Sequence, residues 1–184
     1  GVRRRGTGMS VEIDVRDLLS QPGASRTVRV SESIPGLGTE LATVPEDHRI
    51  DAELLLESVV EGVLVSGPVS GSMVLACARC LKSFGADLHL QVKELFSPDA
   101  AVGDDKYPVH EGEIDLEPMI RDAVLLSMPF APLCCPDCLG LCERCGGDRN
   151  LGECVCAPEV DPRWGPLSAI DVERVERGTR DRSR

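Results

Sequence analysis

Aromatic side chains are scarce in this 184-residue chain: they make up 3% of it, whereas hydrophobic residues make up 42%. A buried core must therefore consist mainly of valine, leucine, isoleucine and alanine. No apolar run approaches the roughly 20 residues that a membrane-spanning helix needs. The N-terminal stretch GVRRRGTGMS is charged but is followed by no apolar segment, which argues against a secretory signal. We therefore expect a cytoplasmic protein whose cysteines remain reduced.

The sequence also lacks the motifs of common enzyme classes. It contains no P-loop, no G-x-G-x-x-G and no H-E-x-x-H, and His48, His89 and His110 form no comparable array. The pair Asp104-Asp105 lies in a charge-rich stretch that is typical of a solvated loop. The CARC motif precedes a predicted strand, whereas a thioredoxin-like C-x-x-C precedes a helix. These absences predict that the protein is not an enzyme and has no small-molecule substrate.

Positive charge is scarce in the middle of the chain. Residues 31–133 carry six Lys or Arg against eighteen acids, and the formal net charge of the whole chain is −11. Proteins that coat nucleic acid neutralise its phosphates with basic side chains, so this acidic body argues against a general DNA or RNA coater. An acidic surface suits contact with a basic protein, although it also simply keeps a protein soluble.

Hydrophobic patterning predicts a β-rich middle and one long helix. Residues 11–33 are expected to form a strand, a helical turn and a second strand, and Ile50 to Phe96 three or four antiparallel strands. A polar loop follows. In DLEPMIRDAVLLSMP, the i, i+4, i+8 spacing of Ile120, Val124 and Met128 is typical of one helix face. Asp115 is a candidate helix cap.

We therefore predict an α+β fold: an antiparallel β-meander, barrel-like as one option, with one long helix and a Cys-rich, zinc-organised C-terminal segment. The expected organisation is a disordered N-terminal extension at residues 1–9, an α+β main domain at 10–133, a Cys-rich zinc-binding segment at 134–164, and a short helix with a disordered tail at 165–184.

The cysteines are the strongest chemical signal in the sequence. Two stand in CARC and seven in PLCCPDCLGLCERCGGDRNLGECVC. A C-x-x-C turn presents two thiolates to one tetrahedral Zn²⁺ ion, and repeated pairs favour a structural metal over a catalytic one, which needs an open ligand position. The nine positions are Cys77, Cys80, Cys134, Cys135, Cys138, Cys142, Cys145, Cys154 and Cys156.

The spacing leaves several pairings open. We favour two zinc sites, one formed by Cys77, Cys80, Cys134 and Cys138 and the other by Cys142, Cys145, Cys154 and Cys156. A self-contained site of Cys134, Cys138, Cys142 and Cys145 is an alternative. Cys135 could replace Cys134, because Cys135-Pro-Asp-Cys138 has the same spacing as the other knuckles. An iron–sulfur cluster is the minor alternative to zinc.

Arginines near the cysteines offer a second functional hypothesis. Arg144 and Arg149 lie within the Cys-rich segment, and Arg163 precedes Trp164, the one tryptophan of the chain. The indole either anchors the tail by packing or provides a surface on which an RNA base stacks. These four residues are our candidate RNA contacts.

With these motifs in view, the sequence resembles the YceD family of large ribosomal RNA subunit accumulation proteins, and its actinobacterial branch in particular. The resemblance rests on an ordered set of segments: LLLESVVEGVLVSGPV before CARCL, VKELF, GEIDLEPMIRDAVLLSMPFAPLC, DCLGLCERCG and DPRW. It implies a bacterial, cytoplasmic, non-enzymatic factor that supports accumulation of large-subunit (23S) ribosomal RNA through ribosome assembly or rRNA processing. The implied partners are a large-subunit precursor, a basic ribosomal protein or rRNA.

The resemblance also bears on the cysteines. It implies metal-type positions at Cys77, Cys80, Cys134, Cys138, Cys142 and Cys145. Cys154 and Cys156 stand where similar proteins often have His-x-His, an exchange that a metal site permits. Cys135 departs from the family pattern, which implies that it is free.

Overall fold

A computed structural model of the chain describes residues 11–101, 105–156 and 162–169, with side chains of 163–167 in the last segment. The predicted extension at residues 1–9 and residues 170–184 of the predicted tail lie outside these ranges. The chain divides into two compact units, residues 1–140 and 141–184, which we call the first and second units. The division falls seven residues after the predicted start of the Cys-rich segment at 134.

The first unit is built on a mostly antiparallel sheet. Its long strands are β2 (Ser25–Glu32), β4 (Ile50–Val59), β5 (Gly62–Ala76) and β6 (Ser83–Ser97), and two-residue strands β3 (Ala42–Thr43) and β7 (Tyr107–Pro108) complete it. The strand order is β2-β4-β5-β6-β7, with β3 paired to the end of β5. A second, two-stranded sheet joins β1 (Glu12–Asp14) to β8 (Glu113–Asp115).

Alternating side chains explain why β4 is half-buried. Ile50, Ala52, Leu54 and Leu56 are buried and point towards the core, whereas the intervening Asp51, Glu53 and Leu55 are exposed on the opposite face. This period-two pattern is that of a strand with one face in the core and one in water.

Two α-helices accompany the sheets in the described residues: α1 (Arg16–Ser20) and α2 (Glu117–Ser127). Ile120 and Val124 of α2 and Met128 just after it are buried, as the spacing predicted. Asp115 accepts a hydrogen bond from the Glu117 N–H at 3.0 Å, although Leu116 occupies the cap position itself.

The α+β class and the antiparallel arrangement are confirmed, whereas the barrel option and the single long helix are not. Over residues 11–101 and 105–140 the main sheet is open, with β2 and β7 as its outer strands, and it does not close into a barrel. The helical content is a helix of five residues and one of eleven rather than one long helix. The region from Ile50 to Phe96 forms three antiparallel strands, within the three or four expected, and β5 and β6 each extend through fifteen residues.

The described part of the chain contains no helix that is long and apolar enough to span a membrane. In the second unit the described residues are mostly turns, followed by a 3₁₀ helix at Pro162–Ala169. No apolar side chain of residues 141–156 is buried. This unit therefore has no hydrophobic core among its described residues.

Candidate metal centres

Eight of the nine cysteines form two groups of four. The first cysteine cluster contains Cys77, Cys80, Cys134 and Cys138, and the second contains Cys142, Cys145, Cys154 and Cys156. In each cluster the four Sγ atoms lie within 4.8 Å of one another, and none of the nine cysteines forms a disulfide. This grouping is the one that we favoured from the spacing.

The CARC knuckle of the first cluster is the turn between β5 and β6. The Leu81 N–H donates to the Cys77 carbonyl at 2.8 Å, and the Cys77 N–H donates to the Lys82 carbonyl at 2.9 Å. Leu81 has a φ of +60°, an uncommon value for a residue with a branched side chain. The β5–β6 hairpin thus ends in a tight turn that directs the two buried cysteine side chains towards the same point.

Two further contacts connect this knuckle to the segment after α2. The Ala78 N–H donates to the Pro132 carbonyl at 2.8 Å, and the Arg79 guanidinium donates to the Cys138 carbonyl at 2.8 Å. Gly140 approaches the same arginine so closely that a Cβ atom there would lie 2.9 Å from the Arg79 carbonyl oxygen. These contacts place Cys134 and Cys138 against CARC even though more than fifty residues separate them along the chain.

The CERC knuckle of the second cluster repeats the same turn. The Gly146 N–H donates to the Cys142 carbonyl at 2.8 Å, and the Cys142 N–H donates to the Gly147 carbonyl at 2.9 Å. Gly146 has a φ of +71°, which glycine adopts without steric cost. Both knuckles therefore use one hydrogen-bonding pattern and one left-handed residue directly after the second cysteine.

Asp148 organises the connection between the two cysteine pairs of the second cluster. Its carboxylate accepts hydrogen bonds from the Asn150 backbone and side chain, both at 2.8 Å. Its carbonyl accepts the Glu153 N–H at 3.3 Å, and its side chain is buried. The sequence analysis missed Asp148 and Arg79. The one available signal was the arginine in the third position of both knuckles, C-A-R-C and C-E-R-C.

Backbone amides lower the pKa of one thiol in each cluster. The N–H of Cys134, opposed by burial and assisted by the amides of Cys80 and Arg79, lowers the pKa of Cys77 to about 6. The amides of Cys145 and Arg144 lower the pKa of Cys142 to about 6. Each knuckle thus stabilises a thiolate at its first cysteine.

The neighbouring thiols respond in the opposite sense. Cys80 raises the pKa of Cys134 well above its usual value, and Cys145 raises the pKa of Cys156 to about 12. Closely packed thiolates repel one another, so four of them ionise together only when a cation neutralises the group. The electrostatics therefore suit a bound metal ion.

Distances within the first cluster fit a single tetrahedral ion. Cys77 Sγ lies 3.7 Å from Cys138 Sγ, and Cys80 Sγ lies 3.6 Å from Cys134 Sγ. Four thiolates at about 2.3 Å from a tetrahedral ion would lie about 3.8 Å apart. Both clusters could hold a metal ion.

Cys135 lies outside both clusters. It is exposed, and its Sγ is 4.0 Å from that of Cys134, which occupies the cluster instead. Among the proposed RNA contacts, the side chains of Arg144, Arg149, Arg163 and Trp164 are all exposed, the indole by 61%. The packing-anchor and base-stacking interpretations of Trp164 both stay predictions.

Comparison with known proteins places these features in a family context. A family model described as large ribosomal RNA subunit accumulation protein YceD matches residues 65–171, more than half of the chain. An uncharacterized protein of Mycobacterium tuberculosis is 36% identical over 171 residues, which cover 89% of this chain and 83% of that relative. An uncharacterized protein of Mycobacterium leprae is 33% identical over 189 residues, covering 94% and 84% respectively.

A more distant match carries a functional name. A protein of Arabidopsis thaliana named large ribosomal RNA subunit accumulation protein YCED homolog 1, chloroplastic, is 37% identical over 65 residues. The aligned part covers 35% of this chain and 20% of the plant protein. No solved structure matches the chain.

Proposed function

Because the chain belongs to the YceD family of large ribosomal RNA subunit accumulation proteins, we propose that it supports accumulation of large-subunit (23S) ribosomal RNA as a non-enzymatic factor in ribosome assembly or rRNA processing. Its expected partner is a precursor of the large subunit, through a basic ribosomal protein or rRNA, in the cytoplasm. The observation that carries the non-enzymatic assignment is that both candidate centres consist of four cysteines, which leaves no open ligand position for substrate.

We further propose that each cluster holds one structural zinc ion. The sulfur separations of 3.6 and 3.7 Å in the first cluster match the edges of a tetrahedron around one ion. The four thiolates of an iron–sulfur cluster are divided among two or more irons, so thiolates on different irons lie farther apart than the 4.8 Å within which all four Sγ atoms of each group lie here. This argument favours zinc over the iron–sulfur alternative.

Metal analysis of the purified protein tests this assignment. We expect two zinc ions per chain by elemental mass spectrometry, and two equivalents of cobalt after exchange, with the intense absorption bands of tetrahedral cobalt–thiolate sites. One ion per chain would contradict two independent centres. If protein purified without oxygen contained stoichiometric iron and inorganic sulfide, the zinc assignment would be rejected in favour of an iron–sulfur cluster.

The biological proposal is tested by deleting the gene in the organism that carries it. We expect a lower ratio of 23S to 16S ribosomal RNA, accumulation of large-subunit precursors, and co-sedimentation of the tagged protein with those precursors. Complementation with the wild-type gene is the control. An unchanged RNA ratio together with absence of the protein from precursor fractions would reject the proposal.

Direct RNA binding is the second candidate function. The observation that favours it is that the three arginines and the tryptophan, which lie within or shortly after the Cys-rich segment in sequence, are exposed in a chain whose residues 31–133 are strongly acidic. Arginines and an aromatic ring together suit binding of single-stranded RNA, by phosphate contact and base stacking. Binding should weaken with salt in proportion to the number of phosphates contacted.

A salt titration with fragments of ribosomal RNA distinguishes this candidate. Replacing Arg144, Arg149 and Arg163 by alanine should reduce the slope of log affinity against log salt by roughly 2. The matched variant with lysine at all three positions should keep the slope. A wild-type chain that shows no salt-dependent affinity would exclude direct binding.

A further inference from the structure

The first cysteine cluster has one exposed member. Cys77, Cys80 and Cys138 are buried, whereas Cys134 is exposed. Reactive molecules in solution therefore reach the cluster at Cys134, because the reactivity of a cysteine follows its exposure. The next residue, Cys135, is also exposed and forms no disulfide. The open side of the cluster thus presents a fifth cysteine beside the four that could hold a metal ion.

Cys135 and Cys134 point to the same side of the chain. Their Sγ atoms lie 4.0 Å apart, whereas neighbouring side chains of an extended strand point to opposite faces. Two thiolates on one tetrahedral ion, each about 2.3 Å from it, would stand about 3.8 Å apart, which is close to this separation. The thiol of Cys135 therefore lies next to the ligand position that Cys134 fills.

The backbone around Cys135 also suits a metal ligand. The Cys138 N–H donates to the Cys135 carbonyl at 3.2 Å, which closes a turn over residues 135–138. This turn has the C-x-x-C spacing of CARC and CERC, whereas Cys134 stands one residue farther from Cys138. Residues 135–137 are all exposed, so no core packing opposes rotation of the Cys135 side chain to another staggered position.

From these contacts we propose that Cys134 and Cys135 are interchangeable ligands of the first cluster. Either thiolate completes the set formed by Cys77, Cys80 and Cys138. The inference rests on the zinc ion proposed for this cluster and adds a ligand to it. Zn²⁺ has no geometric preference from its d electrons and can pass through five-coordination, so replacing one thiolate by its neighbour costs little.

The exchange leaves the composition of the centre unchanged. Cys135 releases its thiol proton and binds, while Cys134 leaves as a thiolate and takes up a proton. Four thiolates remain bound, and no group is oxidised or reduced. An electrophile that alkylates Cys134 therefore leaves Cys135 to hold the ion. The second cluster takes up the other four of the nine cysteines and has no fifth thiol to replace one of them.

Alanine variants of the full-length protein test the exchange through their metal content. Cys134→Ala and Cys135→Ala should each keep both zinc ions of the wild-type chain, because alanine offers no ligand but the neighbouring thiol remains. The double variant should lose one ion. Cys138→Ala should also lose one, as the control for a ligand that has no substitute. The β-sheet signal in circular dichroism should persist in all four, since the hydrophobic core is intact.

Each failure of this test has a different meaning. Loss of an ion by Cys134→Ala alone would overturn the exchange and leave the zinc assignment standing. Retention of both ions by the double variant would also overturn the exchange, because three cysteines would then be enough. If Cys138→Ala did not lower the metal content, the zinc ion of the first cluster would be rejected, and the exchange with it.

Limited alkylation of the wild-type protein gives a second readout. After treatment with a limiting amount of N-ethylmaleimide, native mass spectrometry counts the ions and peptide mapping locates the label. Wild-type chains labelled at Cys134 alone should keep both ions, whereas Cys135→Ala chains labelled at Cys134 should lose one. Loss of an ion from wild-type chains labelled only at Cys134 would overturn the exchange, since Cys135 would then have failed to replace it.

Discussion

The two cysteine clusters share one turn and differ in what surrounds it. In both knuckles the residue after the second cysteine donates its N–H to the first cysteine's carbonyl at 2.8 Å. Cys77, Cys80 and Cys138 of the first cluster are buried beside a unit with a large apolar core, whereas every cysteine of the second is half-buried or exposed. The local sequence therefore specifies the turn. The rest of the unit determines how much of that unit's stability depends on a metal ion.

The comparison implies two roles for the same ligand set. In the first unit, a bound ion would connect a hairpin and a later segment that are already held by a hydrophobic core. In the second unit, it would itself be the main stabilising element, since no apolar side chain of residues 141–156 is buried. Small domains without a core fold only when such an ion binds.

Metal removal should give the largest difference between the units. With a strong chelator, we expect residues 141–156 to lose amide protection and to become cleavable by trypsin after Arg144 and Arg149, while the β-sheet signal in circular dichroism persists. Cys142→Ser should lower the metal content by one ion per chain, and the control Cys135→Ser should leave it unchanged. Simultaneous loss of structure in both units would show that the first also depends on its ion.

Substitutions of apolar residues should destabilise the first unit much more than the second, the reverse of the effect of metal removal. Phe96 is 1% exposed in the first unit, so Phe96→Ala should lower the free energy of unfolding of that unit by about 3–5 kcal/mol in urea titration. Leu151 is 63% exposed in the second unit, and Leu151→Ala should change its stability by no more than about 0.5 kcal/mol. A large effect at Leu151 would reveal an apolar contribution that its exposure does not suggest.

In the metal-free protein, the pH dependence of cysteine reactivity should differ between the two units. Cys77 should keep its pKa of about 6 because its unit stays folded, whereas Cys142 should return to the ordinary value near 8.5 when its unit unfolds. A lowered folded-state pKa stabilises the folded state above the unfolded pKa, so this contribution in the first unit is lost as pH falls through about 6.

Alkylation followed by peptide mass spectrometry measures these profiles. Labelling of Cys77 should be slow at every pH because it is buried, with a midpoint near 6. Labelling of Cys142 should be fast, with the higher midpoint. Equal midpoints at the two cysteines would contradict the difference in metal dependence.

The smallest effects concern the left-handed residue of each knuckle. Gly146→Ala forces a φ of +71° on a residue with a Cβ and should cost about 1 kcal/mol, seen as roughly fivefold weaker metal retention in the second cluster. Leu81→Gly removes the corresponding cost in the first unit but adds freedom to the unfolded chain, so stability should change by less than about 0.5 kcal/mol. A loss at Leu81→Gly as large as that at Gly146→Ala would indicate that the leucine side chain contributes.

Local patterns predicted most of the secondary structure and the two groups of four cysteines. Apolar and polar residues alternate along β4, and apolar residues follow an i, i+4 spacing in α2, because each element buries one face. Such patterns can be read from one segment of sequence alone. The knuckles were visible because a C-x-x-C turn presents two ligands of one ion within four consecutive residues. The barrel option and the single long helix are not confirmed, because sheet closure and helix number depend on contacts between distant segments.

The sequence by itself determined which side chains can bind metal and that the knuckles recur, since these properties depend on residue type and short spacing. Only the tertiary structure decided that Cys134, and not Cys135, joins CARC. The hydrogen bonds from Ala78 to Pro132 and from Arg79 to Cys138 bring segments more than fifty residues apart into contact. It also decided that β2 is an edge strand, because strand order arises from long-range pairing that no local pattern encodes.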